Sequence, residues 1–351
     1  MSATEVRRRS RLVTAATLAL ALAASLLAAR PVGAATGDQM LPNLKATPAK
    51  TFSVTSETLP GASTPSTLLR FTTFSWNAGT GPLELFAGTI DSSNQKQDVW
   101  QRIFLEGGGS VERLAGSFTW DGPHNHFHFD DYASYTLQPA DASGAASRIG
   151  AKRTFCVMDT NAQDLTLPGA PRNGYYTTCG SSYQGMSVGW GDQYSASLSG
   201  QWVDVTGLPN GDYRLTIEID PLNHLSESTR TDNTSCVLLR LSVTNRTVTV
   251  LNPNSCEPAL AVSSLDPTSM KVGTSTTVTI TGTALTSGLA VSFANGNGPT
   301  PTVSNVTWVS STQMTATVTV TASRKKAKVT DPVWDLRVGT ATLANALTVS
   351  P

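Results

Sequence analysis

The chain lacks several patterns that mark common functional classes. It has no C-x-x-C pair, which argues against a zinc site made of four thiolates, and no H-E-x-x-H motif, which argues against a zinc hydrolase. It has no excess of positive charge, because 25 lysines and arginines balance 25 aspartates and glutamates, and this argues against a nucleic-acid-binding protein. Only four cysteines and four histidines are present, so any metal or redox chemistry depends on few residues.

The first 35 residues differ from the rest of the chain. Four arginines between positions 7 and 11 precede an Ala/Leu-rich stretch over 12–29, and small residues follow at 33–35. This pattern is typical of a secretion signal, whereas a membrane anchor would be more apolar and would lack the small-residue cleavage site. Without residues 1–35, 20 basic and 24 acidic residues remain, a formal net charge of −4. We therefore expect a secreted, extracellular or cell-wall-associated protein with no stable membrane insertion and no nucleic-acid partner.

The four cysteines are predicted to form disulfides. An even number of cysteines in an exported chain favours two disulfides over free thiols. Three pairings are open, and the order along the chain favours Cys156–Cys179 and Cys236–Cys256.

Composition predicts an all-β protein with two folded domains. The 28 glycines, 19 prolines and abundant Thr and Ser are typical of short strands separated by turns. A length of 351 residues exceeds what one ordinary sandwich needs. We predict a β-sandwich-like domain with long loops at residues 36–258, including a large loop over 159–193, and a smaller immunoglobulin-like β-sandwich at residues 259–351.

Apolar segments between turn clusters predict strands in the first domain, and residues that alternate in period two predict strands in the second. The clearest are at 68–74, 213–219, 276–281 and 313–320. Asn210-Gly211, just before one of them, predicts a two-residue hairpin turn with positive φ angles. Short motifs at 263–269, 282–285 and 344–349 make the second domain resemble immunoglobulin-like IPT/TIG modules over about 90 residues. The sequence indicates no oligomeric state.

Three of the four histidines, His124, His126 and His128, lie in the segment PHNHFHF at 123–129. Alternate residues of a strand point to one face, so we expect the three rings on one side and the intervening residues on the other. Three neutral imidazoles suit copper, zinc, iron or nickel, and they leave coordination positions open. The segment therefore predicts a metal site.

Two other interpretations of these histidines fit the residue types. Surface histidines on an edge strand would bind nothing, but Phe127 and Phe129 favour a strand that packs on a core. A structural zinc would need a fourth protein ligand, which Asp121, Asp130 or Asp131 could supply. Ligand type alone leaves copper and zinc open.

The segment 120–132, WDGPHNHFHFDDY, resembles the copper-binding motif of the lysyl oxidases. Four more segments resemble parts of that family in the same order, at 41–44, 152–160, 192–206 and 220–233. The resemblance implies copper bound by the three histidines and a lysine tyrosylquinone cofactor formed from Lys152 and Tyr194. It implies an amine oxidase that uses O₂ to convert primary amines, with protein lysine side chains as one class, to aldehydes, releasing ammonia and hydrogen peroxide.

The chain departs from the animal members of that family. It has Asp121 where they have an additional histidine and Pro123 where they have a cysteine, and it has fewer disulfides. Substrate preference, which the 159–193 loop would shape, is therefore the least transferable property. The identity of the catalytic base stays open, because Asp192 lies two residues before Tyr194 and Asp130 lies two residues after His128.

The alternative function is that of a non-catalytic extracellular β protein that binds a metal or a surface. Lys152 and Tyr194 discriminate between the two functions, because a pure binding module has no use for that pair. The fourth histidine, His224, lies in the 220–233 segment, and we interpret it as structural.

Overall fold

The computed structural model describes residues 37–89, 95–122, 124–140, 146–321 and 333–351. The predicted secretion signal at residues 1–35 lies outside the described residues. All regular elements within these ranges are β-strands, which confirms the predicted all-β class. Over the same ranges, no helix is long and apolar enough to cross a membrane.

Seventeen strands form the larger, N-terminal part of the described chain. They are β1 (Gln39–Met40), β2 (Leu44–Ala46), β3 (Lys50–Glu57), β4 (Ser66–Asn77), β5 (Leu83–Ala87), β6 (Lys96–Leu105), β7 (Ser110–Asp121), β8 (His126–Phe129), β9 (Ala133–Pro139), β10 (Arg148–Ile149), β11 (Asn161–Ala162), β12 (Tyr183–Met186), β13 (Trp190–Tyr194), β14 (Trp202–Asp204), β15 (Gly211–Ile219), β16 (Thr234–Ser242) and β17 (Thr247–Asn252).

These strands form three sheets with antiparallel pairing. The first has the order β12-β5-β6-β7-β8, with β1 also paired to β6. The second has the order β10-β9-β15-β16-β17, and the third has the order β11-β13-β4-β14, with β2 and β3 also paired to β4. The first sheet carries the histidine strand β8 at its edge, and the third carries β13, which ends at Tyr194.

Strand β4 shows how the sheets meet around one core. From Leu69 onward its buried residues alternate with half-buried ones, which is the period of a strand with one face covered. Phe71 is fully buried on this face, which contributes roughly 2–3 kcal/mol. Further along, the same face turns polar: the Thr73 hydroxyl lies 3.0 Å from the Tyr135 hydroxyl. This change from apolar to polar occurs beside Tyr194, the register partner of Thr73.

Residues 155–157 bridge the two edge strands of the first sheet, β8 and β12. The amide of Phe129 donates to the carbonyl of Phe155 at 2.7 Å, and the reverse bond is 3.0 Å long. On the other side, the Gly185 amide donates to the Val157 carbonyl at 3.0 Å. The histidine strand is therefore fixed by β7 on one side and by residues 155–157 on the other.

Both predicted disulfides, Cys156–Cys179 and Cys236–Cys256, are present. The first ties the bridging residues 155–157 to the 159–193 segment. That segment is less irregular than predicted, because it contains β11, β12 and most of β13.

Eight further strands form the C-terminal part. They are β18 (Ala261–Asp266), β19 (Ser269–Lys271), β20 (Ser275–Thr283), β21 (Val291–Ala294), β22 (Thr302–Ser310), β23 (Gln313–Thr319), β24 (Val333–Val338) and β25 (Ala341–Ser350). They form two four-stranded sheets, β18-β20-β23-β22 and β19-β25-β24-β21. Both sheets contribute to one core, for example through Ile280 and Leu336, as in a sandwich. This core shares no residue with the larger one, and the boundary at 258/259 remains a prediction.

The predicted strands at 68–74, 213–219 and 276–281 lie within β4, β15 and β20, and the one at 313–320 extends one residue beyond β23. The prediction of a hairpin at Asn210-Gly211 is wrong. Neither residue has a positive φ, and β15 pairs with β9 and β16 rather than with β14, which precedes it. The chain turns from one sheet to another at this point. Gly207, with φ 73°, supplies the left-handed residue, and the Tyr213 hydroxyl fixes the corner by donating to the Pro209 carbonyl at 2.7 Å.

Candidate metal centre with an adjacent lysine and tyrosine

The three histidines lie in β8 and in the turn before it. His126 and His128 belong to the strand and share one face, as predicted. His124 does not, because Asn125 has a positive φ of 56° and interrupts the extended chain. The turn nevertheless brings the three rings together, with centre-to-centre distances of 4.8 Å (His126–His128), 5.3 Å (His124–His128) and 5.7 Å (His124–His126).

The ring nitrogens of this cluster fit a bound metal ion. His126 Nε2 lies 2.9 Å from His128 Nε2. Two donors at about 2.0–2.1 Å from one ion, at a right angle to each other, would be about 2.9 Å apart, and a hydrogen bond between the rings has the same length. His124 Nδ1 is buried without a hydrogen-bond partner, which is uncommon for a ring nitrogen and fits a metal ligand.

Asp121 extends the cluster from the neighbouring strand. It is the register partner of His126 in the β7–β8 pairing, so its side chain faces the rings. Its Oδ2 lies 2.8 Å from His128 Nδ1 and 3.1 Å from His124 Nδ1. Ligand atoms of Asp121, His124 and His128 all lie within 4.8 Å of one another, and His126 joins this group through His128.

The two other aspartates that the sequence offered as a fourth ligand are engaged elsewhere. Asp130 accepts hydrogen bonds from Ser117 and Thr119 at 2.7 and 2.8 Å and lies 3.1 Å from the Lys96 ammonium. Asp131 faces Arg153, at 3.8 Å. Of the three, Asp121 is the one in contact with the rings.

Burial keeps the central imidazole neutral. His128 is 2% exposed, and burial together with the positive charge of nearby Lys152 lowers its pKa to about 3. Burial also lowers the pKa of His126. Thr154 Oγ1 lies 3.1 Å from His128 Nδ1. His128 therefore carries an unprotonated nitrogen at neutral pH, as metal coordination requires.

Lys152 and Tyr194 lie side by side although 42 positions separate them in the chain. The Lys152 Nζ is 5.0 Å from the centre of the Tyr194 ring and 5.2 Å from that of Phe155. Phe155 meets the Tyr194 ring edge to face at 4.8 Å. The positive charge of Lys152 also contributes to lowering the pKa of His126 and His128, so its ammonium lies within electrostatic range of the histidine cluster.

Tyr194 differs from the structural tyrosines around it. Tyr132 and Tyr135 are fully buried and bonded to the hydroxyls of Ser75 and Thr73. The Tyr194 hydroxyl instead donates to the main-chain carbonyl of Cys156 at 2.6 Å. Burial raises the pKa of Tyr194 well above its usual value.

Two ionisable groups near Tyr194, Lys152 and Asp192, are desolvated. Burial lowers the pKa of Lys152, and the negative charges of Asp121 and Asp192 partly offset this effect. Burial raises the pKa of Asp192 well above its usual value, and its Oδ2 accepts a bond from the Met158 amide at 3.3 Å. Asp192 and Tyr194 both line a small cavity, and five of its eleven lining residues are aromatic.

Some of the residues that shape this site had no signal in the sequence. The Gln184 side chain is fully buried and donates to the Phe127 carbonyl, between His126 and His128, at 2.8 Å. It also accepts from the Val157 amide at 3.0 Å. A lone glutamine in a loop-like segment has no pattern that predicts this role. His224 lies against Gly116, and its amide donates to Asp220 at 2.8 Å, which fits a structural role.

Comparisons with known proteins match both parts of the chain. A family model for lysyl oxidase matches residues 111–253, which include the histidine, lysine and tyrosine segments but not the 41–44 segment. A second family model, for quinohemoprotein amine dehydrogenase, alpha subunit domain III, matches residues 259–350. The additional C-terminal domain is thus matched by a family other than the IPT/TIG modules that its motifs resemble.

Individual relatives agree with the first match. Protein-lysine 6-oxidase of Gallus gallus is 31% identical over 120 residues, which cover 33% of this chain and 26% of the relative. Lysyl oxidase homolog 1 of Homo sapiens is 31% identical over 137 residues, 39% of this chain and 22% of the relative. Lysyl oxidase homolog 4 of Mus musculus is 32% identical over 118 residues, which cover 33% of this chain and 14% of the relative. The chain spans about a quarter or less of the length of these relatives.

Proposed function

We propose that this chain, which belongs to the lysyl oxidase family through residues 111–253, is a secreted copper-dependent amine oxidase. It would convert primary amines, including lysine side chains of proteins, to aldehydes. Each turnover would consume one O₂ and one water and release ammonia and hydrogen peroxide. Curated relatives named protein-lysine 6-oxidase support the reaction class.

The observation that carries the proposal is the contact between Lys152 and Tyr194. A buried lysine is costly, and a metal-binding module has no need to bury one against a tyrosine beside its histidines. In this chain the Lys152 Nζ lies 5.0 Å from the Tyr194 ring centre. We assign the two side chains as the source of a lysine tyrosylquinone cofactor and His124, His126 and His128 as copper ligands.

Copper would supply the O₂-dependent oxidation that joins Lys152 to the ring of Tyr194, and the resulting lysine tyrosylquinone would supply the carbonyl that accepts electrons from the amine. The protein's own side chains prepare for this chemistry. Lys152, whose pKa burial lowers, is more readily present as the neutral amine that a nucleophile requires. The bond from Tyr194 to the Cys156 carbonyl orients the ring.

Asp192 is our candidate for the catalytic base. Asp130, the other carboxylate left open by the sequence, accepts two hydroxyl hydrogen bonds and pairs with Lys96. Asp192 lines the same cavity as Tyr194, and its raised pKa makes its carboxylate a stronger base. It would take the proton from the carbon next to the substrate nitrogen.

We place the activity outside the cell. The signal-like residues 1–35 and the two disulfides both fit an oxidising, extracytoplasmic compartment. The domain at residues 259–351 would serve as a spacer or a targeting module, because the chemistry-bearing residues all precede it.

The test is to produce the protein with copper under air, treat it with phenylhydrazine and map the labelled peptides. We expect a copper-dependent adduct on a peptide in which Lys152 and Tyr194 are crosslinked, and peroxide release from a primary amine. Tyr194→Phe should abolish both. Lys45→Met, which changes a partly exposed lysine paired with Asp232, is the matched control and should abolish neither. A protein that binds copper but forms no crosslink and releases no peroxide would be the non-catalytic metal-binding protein instead.

A further inference from the structure

Asp121 Oδ2 lies close to two rings of the histidine cluster. Its Oδ2 lies 3.1 Å from His124 Nδ1, yet that nitrogen is buried and has no hydrogen-bond partner. The hydrogen-bond contact of His128 Nδ1 is Thr154 Oγ1, although Asp121 Oδ2 is only 2.8 Å away. In a hydrogen bond the acceptor lies along the N–H direction. His128 faces the ion with Nε2, so the Asp121–His124 contact is the one with the spacing of two donors that share an ion.

We infer that Asp121 supplies an oxygen ligand to the metal, beside the histidine nitrogens. This inference rests on the proposed metal site and adds to it a fourth protein ligand, from strand β7. A mixed set of nitrogen and oxygen donors suits the tetragonal geometry that Cu²⁺ prefers.

The local backbone prepares Asp121 for this role. It is the last residue of β7 and the register partner of His126, so it projects toward the same face as the rings. Its two oxygens have separate functions. Oδ1 accepts from the His124 amide at 3.2 Å and fixes the turn, which leaves Oδ2 directed at the rings.

An anionic ligand would also balance charge at the site. Three neutral imidazoles leave the full charge of a divalent ion uncompensated, and the ammonium of Lys152 lies nearby. The carboxylates that interact with Lys152 are those of Asp121 and Asp192. Of these, Asp121 is in contact with the histidines, so it can reduce the charge of the metal site and the repulsion between the ion and Lys152.

The experiment compares the wild-type protein with Asp121→Asn and Asp121→Ala. The matched control is Asp131→Asn, which removes the same charge three residues after His128 from a side chain that faces Arg153. Thermal unfolding of the copper-free proteins identifies any variant that fails to fold. Copper affinity is measured by competition with a chelator, and the Cu²⁺ EPR spectrum reports the ligand set.

We expect both Asp121 variants to lose more than about 100-fold in copper affinity, beyond the 10–100-fold that loss of an outer partner costs. Their g∥ value and copper hyperfine splitting should change, while Asp131→Asn matches the wild type. Wild-type protein labelled with ¹³C-aspartate, which needs no substitution, should show a coupling of one carboxyl carbon to copper in pulsed EPR.

An unchanged EPR spectrum in the Asp121 variants, or no ¹³C coupling in the wild type, would overturn the inference and leave Asp121 as an orienting partner of the rings. Those results would leave the proposed oxidase intact. A wild-type protein that binds no copper would overturn the proposed function together with the inference.

Discussion

Lys152 combines burial with charge. Its side chain is 7% exposed, and burial holds its pKa below the usual value. Such a residue lowers the free energy of unfolding as long as it is protonated, so it is retained at a cost in stability. Functional sites commonly contain residues of this kind.

We predict that Lys152→Met stabilises the copper-free protein at neutral pH while abolishing the crosslink. Lys152 loses its proton near pH 10.5 in the unfolded chain and at a lower pH in the folded chain. The cost of burying the charged lysine is therefore fully present below the pKa of the folded state and vanishes as pH rises to 10.5. The melting temperature should therefore rise at pH 7 and rise by less at pH 10.

The measurement is thermal unfolding of both proteins between pH 7 and pH 10. Lys45→Met is the control, because its lysine is partly exposed and paired with Asp232 at 3.2 Å. It should change stability by no more than about 0.5 kcal/mol. A destabilised Lys152→Met protein at pH 7 would contradict the prediction.

At the scale of elements, the two disulfides close loops of similar length but lie in different places. The cysteines are 23 residues apart in Cys156–Cys179 and 20 apart in Cys236–Cys256. Because the loops are similar in length, each disulfide should stabilise the folded state by about 3 kcal/mol through the loop-closure entropy of the unfolded chain. Only Cys156–Cys179 also fixes a group of the site, because the Cys156 carbonyl accepts the hydrogen bond from the Tyr194 hydroxyl.

We predict that replacing either cysteine pair by alanine lowers the free energy of unfolding by about 3 kcal/mol. Only the Cys156/Cys179 double variant should also lower the yield of the Lys152–Tyr194 crosslink and speed amide hydrogen exchange at residues 155–157. Denaturant unfolding, peptide mapping and exchange mass spectrometry check these outcomes. Equal crosslink yields in the two double variants would show that this disulfide does not support the site.

Gln184 offers a second test of how elements support the metal strand. Its amide joins the Phe127 carbonyl of β8 to the Val157 amide in the bridging residues. Gln184→Leu would leave both main-chain groups buried and unpaired, so we expect a loss of about 2–4 kcal/mol in stability. Copper affinity should also fall about tenfold, because β8 is less firmly held.

Gln101→Leu is the matched control for Gln184→Leu. Gln101 is also fully buried, but its two hydrogen bonds go to the main chain of Ser226. It should lose comparable stability while keeping copper affinity within about twofold. Chelator competition and denaturant unfolding distinguish the two variants, and an equal loss of copper affinity in both would refute a specific role for Gln184.

At the scale of the whole molecule, two separate cores suggest two cooperative units. The larger core contains the residues around the metal site, and the smaller one lies between the two C-terminal sheets. Units that share no core residue can unfold independently.

We therefore predict two transitions in calorimetry. Leu336→Ala creates a cavity in the smaller core, so it should lower the free energy of unfolding of one transition by about 2–5 kcal/mol. It should leave the other transition, copper binding and peroxide release from a small amine unchanged. Phe71→Ala, in the larger core, is the counterpart and should lower the other transition. A single transition that both variants shift equally would contradict two units.

The sequence alone determined those features that depend on local pattern. Apolar segments between turn clusters predicted β4 and β15, and residues that alternate in period two predicted β20 and β23, because successive side chains of a strand point to opposite faces. Cysteine order predicted both disulfides, and the spacing of His124, His126 and His128 predicted a ring cluster. Local pattern failed at Asn210-Gly211, where tertiary context selected a connection between sheets instead of a hairpin.

Only the tertiary structure decided which distant groups meet. The turn at Asn125 turns His124 toward the other two rings, and the β7–β8 register sets Asp121 against them. The pairing of β13 with β4 and of Phe155 with Phe129 brings Tyr194 to Lys152. Main-chain pairing and side-chain packing between elements fix these proximities. No local sequence pattern encodes them, because they depend on the path of the chain between the elements.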